Sequence, residues 1–363
     1  MSAHFRAIAA TIIAVSLPAA GQWLKYKTPG IPRTADGDPD LKSAAPKTAD
    51  GKPDLSGIWR GDPGGYGVNM AAELKSSEIQ PWAEKLYKQR LEDQGKDSPS
   101  YRCMPQIGPY TSFGMFKILQ TPTVIGVLSE GGVYRQVLTD GRPLPEDPNP
   151  TWMGYSVGHW DGDTLVVENA GFNDQTWLDA GHPHSEQLRV TERSQRKDFG
   201  HMDLKMTFSD PKIYARPFSV DVELELVPDT ELLEYVCNEN EKDVRHFVIT
   251  EEDRKQNRIS VKVAPAILAK YAGIYEMQNP EDPKAKPISI WVLMEGDQLL
   301  TQMNGAGPKI PLVAQSNTTF TVLGGTAQFV TDDRGAVTHF VMQAVEGDFK
   351  ILRKGDLPAA PPK

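Results

Sequence analysis

Tyr155-Ser156-Val157-Gly158-His159-Trp160-Asp161-Gly162-Asp163-Thr164-Leu165-Val166-Val167-Glu168 is two strand-forming runs around an Asp-Gly pair. That is the short-range signature of a β-hairpin, because a two-residue turn needs residues that tolerate positive φ. The same grammar continues downstream. Leu188 to Arg196 and Met202 to Phe208 flank a turn near Gly200, and Val220 to Val227 and Leu232 to Cys237 flank Pro228-Asp229-Thr230. Val220, Val222, Leu224 and Leu226 alternate with Asp221, Glu223 and Glu225, as do Met202, Leu204, Met206 and Phe208 with their neighbours. A period of two with one wet face describes antiparallel sheet. Many short strands without crossover helices predict a barrel or a sandwich.

The charged stretch Ile249 to Gln256 breaks the pattern, which places a boundary near Ala264. The chain then restarts with Tyr271-Ala272-Gly273-Ile274-Tyr275, parallel to Leu55-Ser56-Gly57-Ile58-Trp59. Runs at Ile288 to Met294, Gln298 to Met303, Thr318 to Leu323, Ala327 to Thr331, Val337 to Gln343 and Phe349 to Arg353 follow, enough for a small up-and-down barrel. Upstream, Leu74, Ile79, Trp82, Leu86 and Leu91 recur roughly by helical turns between Ala71 and Gln94, with Pro81 suited to the first turn of a second helix. Before that, Thr34 to Leu41 is echoed by Thr48 to Leu55, each copy a turn in an extended arm. The expectation is a mainly β chain of two antiparallel barrel domains, 55–262 and 265–356, with an arm over 22–54 and a helical insertion over 71–94. At 363 residues with 39% hydrophobic content, one core would be unusually large.

Met1 to Gly21 has His4 and Arg6, an apolar run from Ala7 to Val15, and then Ser16-Leu17-Pro18-Ala19-Ala20-Gly21. This is the layout of a secretory signal peptide cleaved between Ala19 and Gly21, and the run is too short for a membrane span. A periplasmic or secreted protein follows. In such a compartment the two cysteines, Cys103 and Cys237, form a disulfide; buried free thiols are the alternative. A net charge of −9 argues against nucleic acid or anionic membrane as partner. Oligomeric state is left open.

Gly57-Ile58-Trp59 resembles the Gly-x-Trp opening of lipocalin-type barrels, and Gly273-Ile274-Tyr275 with Arg353 is similar to a weaker version. The resemblance implies a basic residue from the last strand lying across the opening aromatic. PDLSGIW, WMGYSVGHWDGDTLVVEN, GFNDQTWLD, PHSEQLRVTER and CNEN, in that order from Pro53 to Asn240, resemble a large family of secreted bacterial proteins. That likeness implies export and a β-barrel and brings no particular reaction. Leu268 to Arg353 resembles the small β domain appended to some β-lactamase-like hydrolases.

Serine-hydrolase chemistry finds no support, since no Gly-x-Ser-x-Gly elbow occurs and Ser209-Asp210-Pro211-Lys212 falls in a turn. The densest polar cluster is His182-Pro183-His184-Ser185-Glu186. In an extended segment His182, His184 and Glu186 would share a side and serve acid–base chemistry, with Asp179 or Glu186 orienting a histidine. The same three could meet a metal, but the second half of a cupin-like set is missing and no metal is expected. A polar loop in which His184 caps a strand end is the structural alternative. Arg135, Asp140 and Arg142, with Tyr155 and His159 on the next strand, are candidates to line a lumen; for Asp140 the alternative is turn chemistry. Trp152 and Trp177 stand beside turn-rich loops where an aromatic can lid a cavity, or simply pack. Arg189 opens a strand on which Leu188, Val190, Glu192 and Ser194 share the other face, so that a charge can point inward.

The function these residues suggest is binding of a small organic molecule in the first barrel and cofactor-free acid–base chemistry on it: hydration, dehydration, isomerisation or hydrolysis by His182, His184, Glu186 and His159. No dinucleotide fingerprint or P-loop is present, and no cofactor is expected. The alternatives are a carrier without turnover and an envelope interaction module.

Overall fold

The computed structural model of the chain describes residues 27–93, 95–109, 113–237, 261–277, 287–305, 308–322, 325–344 and 347–358. The expected signal peptide and the charged stretch Ile249 to Gln256 lie outside the described residues. Nine strands close the first barrel: β1 (Gly57–Gly61), β2 (Gly114–Gln120), β3 (Val124–Ser129), β4 (Tyr134–Leu138), β5 (Tyr155–Asp161), β6 (Thr164–Ala170), β7 (Arg189–Arg196), β8 (His201–Ser209) and β9 (Phe218–Leu226). The β5–β6 hairpin turns through Gly162 at φ 60°. All pairings are antiparallel except β4–β5, a parallel seam with Val137 opposite Ser156 and Leu138 opposite Val157.

Opposed residues share a face of the sheet, so the register determines what points inward. Trp59 opposes Phe116 and Leu226. Around the other side, Ser156 opposes Asn169, Asn169 opposes Val190, Val190 opposes Phe208 and Phe208 opposes Phe218. Most of this inner face is buried Leu, Ile, Val, Met and Phe. Ser156, Gly158 and Trp160 are therefore the inward side of β5. The lumen expected from Tyr155 and His159 is not formed: His159 is exposed and Tyr155 lies on the outer face.

The hairpin expected between Val220–Val227 and Leu232–Cys237 does not form either. The free edge of β9 pairs with β1 instead, because closing the barrel satisfies a full row of backbone groups. Asp229, in the turn, takes up the arm: it accepts from Thr28 N at 2.9 Å and pairs with Arg33. Both arm echoes are turns, closed by Arg33–Pro39 and Lys47–Pro53 bridges. The helical pair resolves into one helix, α1 (Pro81–Glu92), after a 3₁₀ turn at Ser76–Glu78. Pro81 sits in the first turn of α1, where its missing N–H costs nothing. The buried positions of α1 are Ala83 and Tyr87, one helical turn apart, whereas Trp82 is exposed.

At the arm end of the barrel Trp59 is fully buried and donates from Nε1 to Leu55 O at 2.9 Å. The Arg196 guanidinium lies 4.9 Å over its ring and donates to the carbonyls of Asp54 and Phe199. Burial pushes Arg196 down to about 10. Its position is the end of β7, not the last strand of the barrel.

The second barrel follows a short helix, α2 (Pro265–Tyr271), and has eight antiparallel strands: β10 (Gly273–Met277), β11 (Ile288–Glu295), β12 (Gln298–Met303), β13 (Ile310–Ala314), β14 (Thr319–Val322), β15 (Gly325–Thr331), β16 (Val337–Ala344) and β17 (Gly347–Gly355). Its centre is aromatic. Tyr275, Phe320, Phe329 and Phe340 meet at centroid distances of 5.1–6.0 Å, and Tyr275 donates to Tyr271 O at 2.8 Å. Arg353 of β17 donates to Ala272 O at 2.9 Å. The Cys103–Cys237 disulfide is formed, with Cα atoms 5.7 Å apart. Among the described residues no helix is long and apolar enough to cross a membrane.

Candidate functional site

β4, β5 and β7 begin, and β6 ends, at the end of the first barrel remote from Trp59. There Arg135, Ser156, Asn169 and Glu192 point inward from four strands. Arg135 grips Glu192 bidentately, Nη1 to Oε1 at 2.8 Å and Nη2 to Oε2 at 3.0 Å, and both side chains are only 4% exposed. Asn169 donates from Nδ2 to Glu192 Oε1 at 2.8 Å and to Val190 O at 3.0 Å. Ser156 Oγ donates to Asn169 Oδ1. One nitrogen of the guanidinium makes no hydrogen bond at all: Arg135 Nε is buried and has no partner. Two desolvated charges in a hydrophobic barrel cost several kcal/mol each before their attraction offsets it, at about the magnitude seen for buried ions generally. Packing alone would favour apolar residues at these positions.

A strap lies against the Arg135 side of the quartet. Cys103, at φ 57°, leads into Met104–Pro109, in which Ile107 is fully buried. Gly108 lies so close that a Cβ would fall 2.3 Å from Met153 O and 3.1 Å from Arg135 Cδ. No other residue type fits without displacing the backbone before β5. The strap thus lies beside Arg135 at the start of the parallel β4–β5 seam, and the disulfide ties its root to Cys237.

The histidine loop lies between β6 and β7 and does not converge. It is a turn, bridged by Trp177 and Pro183, and not an extended segment. Asp179 Oδ1 accepts from Gly181 N and His182 N, and its Oδ2 accepts from Met70 N at 2.7 Å and His182 Nδ1 at 2.7 Å. The His182 ring is 1% exposed and stacks on Tyr87 at 3.6 Å. His184 faces elsewhere: Nδ1 donates to Ser185 O and Nε2 accepts from Thr176 Oγ1 at 2.7 Å. Burial holds its pKa below the ordinary histidine value, so the ring is neutral. Glu186 points to solvent and pairs with Lys212, which lowers its pKa. The acid–base and metal-ligand trio is therefore dispersed, and no group of three metal-binding side chains is assembled among the described residues.

Arg142 donates to Asp140 and to Tyr155 Oη at 3.2 Å on the outside of the barrel. The guanidinium holds the Asp140 carboxyl below its usual range. Arg189 is exposed and donates to Glu146 O. Trp177 lies under Arg90 at 4.1 Å, and Trp152 is half-buried. Of the residues singled out from sequence, Arg135 alone belongs to the quartet. Glu192 was legible as an inward charge. Asn169 and Ser156 follow from the alternation of β5 and β6 once the other face of β5 is taken as the inner one.

Fold and interior together define a double-barrel protein in which one barrel has an aromatic centre and the other holds a charged quartet. No protein-family model and no curated protein sequence matches this chain.

Proposed function

We propose that this is an exported binding protein that takes a small organic molecule into the strapped end of the first barrel, with Arg135, Glu192, Asn169 and Ser156 as its polar contacts. The observation that carries the reading is the buried, unpartnered Arg135 Nε–H beside the bidentate Arg135–Glu192 ion pair. A buried donor without an acceptor costs about 1–3 kcal/mol, and a ligand oxygen removes that cost. Entry requires the Met104–Pro109 strap to lift. The acid–base candidates His182, His184, Glu186 and His159 stand apart from this point, which favours carriage over turnover.

The test is untargeted mass spectrometry on protein purified from its exported fraction. One compound at near-stoichiometric level is expected from the wild type and none from an Arg135→Met/Glu192→Met double variant. A wild-type protein that is empty, and stays empty when exposed to an extract of its own culture, removes the reading. Amino-terminal sequencing of the same sample checks cleavage near Ala19 to Gly21.

A second reading, acid–base turnover, has one geometric point in its favour. Asp179 accepts from His182 Nδ1–H, which leaves Nε2 as the ring atom that can take up a proton. It requires Tyr87 to move off the ring. His182→Gln abolishing conversion of the co-purified compound while leaving its binding intact would establish it.

A further inference from the structure

Which ligand chemistry the quartet accepts follows from its charge and its spent hydrogen bonds, and the inference rests on the binding reading above. Arg135 and Glu192 cancel in charge. Both Asn169 amide protons are committed, to Val190 O and Glu192 Oε1. The Ser156 proton is committed to Asn169 Oδ1, and Glu192 receives three donors. The buried nitrogen without any partner, Arg135 Nε, carries a donor and therefore asks for an acceptor.

An ionised acceptor would stand next to the Glu192 carboxylate in a water-poor interior, where like charges repel far more strongly than in water. The surroundings are apolar: Val167 and Met206 oppose Glu192 on its two sides, and Phe208 opposes Val190. We propose that the ligand is an uncharged, largely apolar molecule presenting one carbonyl, amide or ether oxygen to Arg135 Nε, and that Glu192 is the residue that excludes carboxylates. The guanidinium, usually a carboxylate receptor, is here neutralised in advance by its own chain.

The experiment uses the full exported chain and matched amide and carboxylate probes on cyclopentane, cyclohexane and naphthalene bodies. Binding is read by calorimetry and by the ¹⁵Nε–H resonance of Arg135, identified by its loss in Arg135→Lys. The wild type is expected to bind the amides about tenfold or more tighter than the carboxylates, with the Arg135 resonance shifting only with the amides. Glu192→Gln keeps an acceptor for Asn169 but frees the charge of Arg135, and its order of preference reverses. Should that variant fail to fold, the wild-type order decides alone. Carboxylates binding as well as amides to the wild type, a charged co-purified compound, or an unchanged order in a folded Glu192→Gln overturns the inference and leaves the binding reading standing. No binding of any probe and no co-purified compound overturns both.

Discussion

In the second barrel Tyr275, Phe320, Phe329 and Phe340 meet ring against ring, and the one buried hydroxyl among them reaches a backbone carbonyl. In the first, strands of similar length close around Arg135, Glu192, Asn169 and Ser156 as well as around apolar side chains. Tyrosines aside, every buried polar or charged side chain among the described residues belongs to the first domain. One chain thus contains two solutions to the same closure problem. Among the described residues the eight strands of the second close without a buried charge, so their closure draws on none of those side chains. The ion pair in the first is retained against its desolvation cost, which is the physical reason for assigning it a ligand.

The widest difference between the barrels should appear on reduction. The Cys103–Cys237 disulfide closes a loop of 134 residues around the first barrel alone. In the chain-entropy model its removal costs about 5 kcal/mol. Cys103→Ser/Cys237→Ser should therefore lower the denaturation midpoint of the first barrel, followed by domain-resolved hydrogen exchange, and leave β10–β17 unchanged. Equal loss in both barrels would mean that they unfold as one unit.

Next in size is the ion pair. Arg135→Met leaves Glu192 buried without its partner and should cost about 3–5 kcal/mol, whereas Arg135→Met/Glu192→Met should return most of that stability. Recovery in the double variant means that the pair is kept for something other than stability. No recovery would make the quartet a structural element like the aromatic centre of the second barrel. In that centre Tyr275→Phe removes the hydroxyl bound to Tyr271 O and should cost only about 1 kcal/mol, measured by urea denaturation.

The contrast was only partly legible in the sequence, for physical reasons. Alternation reports local geometry, and β7, β8 and β9 declare their inner faces through Val190, Met206 and Val220. Tyr155-Ser156-Val157-Gly158 does not, because residues on both faces of β5 are buried and Gly158 sits where a Cβ would meet Val137 Cγ1 at 2.8 Å. The closure of β9 on β1 and the parallel β4–β5 seam are non-local pairings that no short motif encodes. Strand β13 was hidden by Pro311, which the sheet tolerates there with its side chain exposed. The histidines misled because residues two apart share a side only in extended backbone. Asp179 curls this segment into a turn by accepting from the N–H groups of Gly181 and His182.

The smallest expected effect separates the barrels by pH. His184 is buried in the first domain with its pKa below the unfolded value, because burial disfavours the imidazolium. Below about 6.5, the ordinary histidine value, the unfolded chain takes up a proton that the folded chain refuses. The contribution of His184 is therefore complete above that pH and is lost as pH falls toward the folded pKa. His184→Gln retains a side chain that can reach the Thr176 hydroxyl and should flatten the acid limb of first-barrel stability below about pH 6.5, measured by urea denaturation at each pH. The second barrel's His339 is also lowered, by slight burial and the nearby Lys350, but it lies on the exposed face of β16 beside Thr338. His339→Gln should leave the acid limb of its own barrel nearly as steep as before. An acid limb unchanged by His184→Gln would mean that burial does not keep a proton off this ring in solution.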